Sequence, residues 1–96
     1  MKMLLIIYSQ ESDEYVLNCF NSAGIKYYTK MRKIEGVGKE SEPKLGSHAW
    51  PGENNILFIA ADEEETIKAV EMVRTIKKEK PRAGIRCFVL PMEECV

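Results

Sequence analysis

Asn55-Ile56-Leu57-Phe58-Ile59-Ala60-Ala61-Asp62-Glu63-Glu64-Glu65 decides the fold. Its apolar part, Ile56 to Ile59, is continuous, as in a strand with little exposure on either face. The polar part that follows pairs Asp62 with Glu65 three residues on, the spacing of a capping box that opens a helix. Downstream, Ala69, Met72, Val73 and Ile76 recur at helical spacing and mark that helix's buried face. Lys77, Lys78 and Lys80 suit its negative end, and Pro81 closes it. Gly84 to Leu90 then sets Ile85, Cys87 and Val89 against Arg86, Phe88 and Leu90, a last strand that Pro91 stops. One β-α-β unit is complete.

The same order recurs upstream. Met3 to Tyr8 is a short continuous apolar run that fits the middle of a sheet. Ser12 stands as the N-cap of a helix whose first turn carries Asp13 and Glu14. Val16, Cys19, Phe20 and Ala23 form its apolar face, and Gly24 ends it. Ile25 to Ile34 reads as a strand with Tyr27, Thr29, Met31 and Lys33 on one face and Tyr28, Lys30, Arg32 and Ile34 on the other. Such mixed faces suit a sheet edge or a subunit interface. The chain therefore runs β-α-β, long loop, β-α-β. This predicts an α+β, ferredoxin-like domain over residues 1–96, a four-stranded antiparallel sheet with two helices on one face.

Composition narrows the function without naming it. Ninety-six residues, 45% hydrophobic and 30% charged, make one globular domain. Fourteen Lys and Arg against fifteen Asp and Glu give a net charge of -1, against the basic surplus of a nucleic-acid binder. No apolar run is long enough to span a membrane, and Met3 to Tyr8 is too short for a signal-peptide core. A chain this small buries only about 60–65% of its unfolded surface, so its stability is expected to be modest or shared with partner subunits. Cys19, Cys87 and Cys95 show no C-x-x-C spacing, so free thiols in a reducing cytoplasm are expected. Cys19 and Cys87 fall at core positions, and Cys95 is exposed and the most reactive.

Patterns for common enzyme chemistry are missing. There is no G-x-S-x-G, H-E-x-x-H or P-loop, and His48 is the sole histidine. The junction Tyr8-Ser-Gln-Glu-Ser-Asp13 is acidic and unsuited to cradling a phosphate, and the last strand lacks an RNA-binding aromatic motif. No enzymatic activity is expected. Unusual residues gather instead between the second and third strands. Gly36-Val37-Gly38-Lys39 either lets the backbone approach an anionic ligand, with Lys39 meeting its charge, or is a bulge and turn with a solvated lysine. Trp50 and His48, in Gly46-Ser-His-Ala-Trp-Pro-Gly52, either line a pocket or anchor the loop's return. A single histidine makes a metal site only if a symmetric oligomer multiplies it, with Cys95, Glu93 and Glu94 of a neighbouring tail as further donors. Arg82 and Arg86 are available for a phosphate contact that no spacing demands.

Three segments carry a resemblance over essentially the whole chain: Ile25 to Lys39 with its G-x-G and basic residue, Lys44 to Asn55 with G-S-H-x-W-P-G, and Gly84 to Glu93 with its Leu-Pro-Met-Glu ending. Together they resemble the PII-like superfamily of signalling proteins, and a small branch of it. The resemblance implies a homotrimer with a T-loop-like segment at about 37–54. It implies a small anionic ligand, an adenine nucleotide for example, bound in clefts between subunits, and a regulated protein engaged through the loop. It places Thr29, Gly36, Val37, Gly38 and Lys39 on the strand-two side of that cleft; His48 and Trp50 stand beside them as ligand-binding candidates from the loop's own residues. Long-known members carry a G-D-G-K-like segment after helix two, where this chain has Glu79-Lys-Pro-Arg-Ala-Gly-Ile85. They also carry a modified T-loop tyrosine with no counterpart between Gly38 and Trp50. Divalent-metal-tolerance proteins share the trimeric arrangement, so a metal-binding trimer using His48 and a ligand-free scaffold trimer stand as alternatives.

Overall fold

The computed structural model describes residues 1–37 and 53–96. Four strands, β1 (Lys2–Ser9), β2 (Thr29–Ile34), β3 (Asn54–Ala61) and β4 (Arg86–Pro91), form one sheet in the order β2-β3-β1-β4. Every pairing is antiparallel. Helix α1 (Asp13–Ser22) links β1 to β2, and α2 (Glu63–Glu79) links β3 to β4. Because β3 separates β1 from β2, and β1 separates β3 from β4, both β-α-β units are split, as in a ferredoxin-like domain.

The core lies between the sheet and the helices. Leu4, Ile6 and Tyr8 of β1 and Leu57, Ile59 and Ala61 of β3 are buried on one face, with Val16 and Phe20 of α1 and Ala69, Val73 and Ile76 of α2. Cys19 and Cys87 pack against this cluster half-buried, at its margin, and Cys95 is exposed. The capping box of α2 is complete: the Glu65 amide donates to Asp62 Oδ1 at 2.7 Å, and the Asp62 amide donates to Glu65 Oε1 at 2.9 Å.

The first helix starts differently from expectation. A 3-10 turn over Gln10–Ser12 leads into α1, and the Ser12 side chain makes no capping bond. Its end is as read: Gly24 has φ +84°, its amide donates to Asn21 O, and the Ile25 amide donates to Phe20 O at 2.9 Å, a Schellman closure. Ile25 is thereby buried and belongs to the helix stop, so β2 begins at Thr29 and not at Ile25. Its alternation also breaks. Lys33 has φ +56° and the register to β3 shifts between Met31 and Ile34, a bulge that turns Ile34 to the face of Thr29 and Met31. The last strand starts at Arg86, later than expected, because Gly84 at φ +60° caps a 3-10 turn over Pro81–Ala83.

Candidate functional site

The end of the sheet from which β2 leaves and to which β3 returns gathers the polar chemistry. Arg86, Ile7, Ile56 and Met31 form one row across β4, β1, β3 and β2. Beyond it lie Gly36 and Val37 on one side and Glu53 and Asn54 on the other. The Gln10 amide donates to Glu53 O at 2.9 Å, which ties the start of the returning strand to the turn after β1. Gly36 packs closely on that strand: a Cβ there would lie 3.2 Å from Asn54 Nδ2. Val37 is strongly exposed.

Beneath this base sits a polar knot centred on Asp13. Tyr8 Oη donates to Asp13 Oδ1 at 2.6 Å, Asn55 Nδ2 donates to the same oxygen at 3.1 Å, and Lys30 Nζ donates to Oδ2 at 2.9 Å. The four residues come from β1, α1, β2 and β3. Tyr8 and Asn55 are fully buried, and the Lys30 side chain is only 13% exposed, so water screens the ion pair weakly. Partial burial opposes ionisation of Asp13, but the bonds from Tyr8, Lys30 and Asn55 and the Lys30 charge outweigh it and hold the carboxyl below the usual range. Burial first, then the bond to Asp13 and its charge, push the Tyr8 phenol well up, so it stays a donor at any ordinary pH. Asn55 Oδ1 is buried without a partner among the described residues. The Asp13 charge of the Tyr8-to-Asp13 junction is thus paired inside the fold, Lys30 is committed there, and Glu11 stays exposed. Arg32, Lys33 and Arg86 remain exposed toward solvent.

The residues read from sequence divide into three groups. Gly36 and Val37 lie at the loop base. Thr29 is exposed opposite Phe58, at the far end of β2, about 20 Å of extended strand from Gly36. One copy of the chain therefore does not bring Thr29 and Gly36 together. Gly38, Lys39, His48 and Trp50, and with them the metal reading of His48 and most of the segment 37–54, lie outside the described residues. The Asp13 knot escaped sequence reasoning because its members are up to 47 residues apart and each alone reads as a surface or core residue.

The other face of the sheet carries Met3, Leu5 and Ile7, then Ile56, Phe58 and Ala60, flanked by Met31, Phe88 and Leu90. The last three are 45–48% exposed, and no described element covers this apolar face.

The family model for nitrogen regulatory protein P-II matches residues 1–96. The chain belongs to the P-II family. No curated protein matches it by sequence. Among solved structures, the P-II chain is similar to CPII from Thiomonas intermedia K12, a nitrogen regulatory PII-like protein. CPII bound to ADP and bicarbonate superposes with a TM-score of 0.70 at 22% identity, over 92% of this chain and 81% of that one. With ADP, AMP and bicarbonate the TM-score is 0.72 at 21% identity, with the same shares covered. The apo form gives 0.64 at 20%, over 92% and 84%. At these identities the likeness is one of fold, and it agrees with the sheet order and split β-α-β units of this P-II chain.

Proposed function

We propose that this chain is a regulatory subunit of the P-II type. It senses a small anionic ligand, with adenine nucleotides the first candidates, in clefts between the copies of a cytoplasmic homotrimer. The observation that carries this reading is the P-II family match over the whole chain. The apolar face that no described element covers supports the assembly, since contiguous exposed apolar surface marks an interface. A cleft between copies also answers the separation within β2: it draws Gly36 and Val37 from one copy and Thr29 from the next. CPII, solved with ADP, AMP and bicarbonate, supports this choice of ligands.

Signalling runs through the segment at about 37–54 to a protein partner. Gly36 on Asn54 and the Gln10–Glu53 bond fix the two feet of that segment, so a ligand touching either foot shifts its populations. Calorimetry of the purified protein with ATP, ADP and AMP, with and without bicarbonate, tests the ligand, and sedimentation tests the trimer. Binding is expected to weaken at least tenfold in Gly36→Val, whose side chain invades the space of the Asn54 amide. A trimer that binds none of these ligands overturns the sensor and leaves the scaffold reading. A monomer overturns both.

A further inference from the structure

Beside β4 lies a groove of about 530 Å³, lined from Val70 to Lys77 by α2 and from Arg86 to Val89 by β4. β4 is the last strand of the sheet and pairs only with β1, so its outward backbone groups are open to an added strand among the described residues. Its lining combines apolar Val70, Val73 and Val89 with cationic Arg74, Lys77 and Arg86. The chain itself carries the complementary segment: Met92-Glu93-Glu94-Cys95-Val96, outside any regular element and mostly exposed.

We infer that the groove beside β4 receives residues 92–96 of a second copy as an added strand. Charge complementarity selects this occupant. Glu93 and Glu94 meet Arg74, Lys77 and Arg86, and strand alternation sorts the contacts. With Glu93 and Cys95 turned to the helix side, they face Arg74, Lys77 and Cys87. Met92, Glu94 and Val96 then turn to the other side, toward Phe88 and Arg86. The chain's own tail leads elsewhere, because the Met92 amide donates to Met1 O at 3.3 Å and the tail departs past the start of β1. Tail into groove is a head-to-tail contact, which repeats around a ring and closes in a trimer. The inference therefore rests on the self-association proposed above.

The two cysteines supply the test. Burial raises the Cys87 thiol pKa, so the reaction is run at mildly alkaline pH. In the full chain carrying Cys19→Ser, diamide takes two hydrogens from a pair of thiols and leaves a disulfide and the reduced hydrazine. The expected product is a Cys87–Cys95 bond between chains, identified by peptide mass mapping of covalent multimers. It forms at least tenfold more slowly in Glu93→Lys/Glu94→Lys, and the rate recovers when Arg74→Glu/Lys77→Glu is added. An associated protein that yields no such bond, or yields it only within one chain or at a rate blind to these charges, overturns this inference and leaves the trimer standing. A monomer by sedimentation overturns both.

Discussion

The two faces of the sheet are written by alternate residues of the same strands, yet they meet different surroundings. Leu4, Ile6, Leu57 and Ile59 are at most 1% exposed under the helices. Their neighbours Leu5, Ile7, Ile56 and Phe58 are as apolar but only half-buried, with no described element above them. One face is finished by the chain's own helices, and the other calls for another molecule. The continuous apolar runs of β1 and β3 follow from this: a strand buried on one side alone alternates, whereas a strand buried on both does not.

Adjacent residues of β3 offer the strongest way to break that comparison. Leu57→Ala empties a filled core site and is expected to lower the unfolding free energy by about 2–5 kcal/mol at any protein concentration. Phe58→Ala should cost clearly less in dilute protein, with its penalty growing with concentration as assembly becomes populated. Urea denaturation at two concentrations distinguishes them, and equal dilute penalties contradict the difference between faces. Leu5→Glu sharpens the comparison from the other side. Charge on the bare face should weaken self-association while the far-ultraviolet circular dichroism of the folded subunit persists, and sedimentation reads the loss.

Asp13→Asn probes the polar corner of the covered face. Losing the ion pair to Lys30 is expected to cost about 1.5–3 kcal/mol near neutral pH. The folded carboxyl sits below its unfolded value of about 3.9, so its stabilisation is complete above that pH and disappears as pH falls through the folded pKa. The acid limb of a stability-against-pH curve should therefore flatten in the variant. Asp62→Ala, which removes an exposed cap and no buried apolar surface, is expected to cost only about 1 kcal/mol by thermal denaturation, with no effect on assembly.

Much of the architecture was legible because it is encoded locally. The Asp62–Glu65 box, the Gly24 stop and the two helical stripes act over three or four residues, within reach of pattern reading. The misread boundaries share a cause: Ile25 to Tyr28, Lys33 and Gly84–Ile85 look like strand by residue type, but a helix closure, a left-handed bulge and a 3-10 cap override that propensity. Of the candidate site, Gly36 and Val37 stood out through glycine spacing. Asp13, Tyr8, Lys30 and Asn55 did not, since nothing in spacing links a helix's first residue to residues near the ends of three strands.

The sequence by itself determined the order of elements, the helix caps and the apolar weight of both sheet faces, because hydrophobic periodicity and capping chemistry are short-range. Only the tertiary structure decided that Asp13 is paired with Lys30, that Thr29 and Gly36 lie a strand's length apart, and that a groove with cationic lining lies beside β4. Those facts depend on strand order and register, which bring distant residues side by side through long-range pairing.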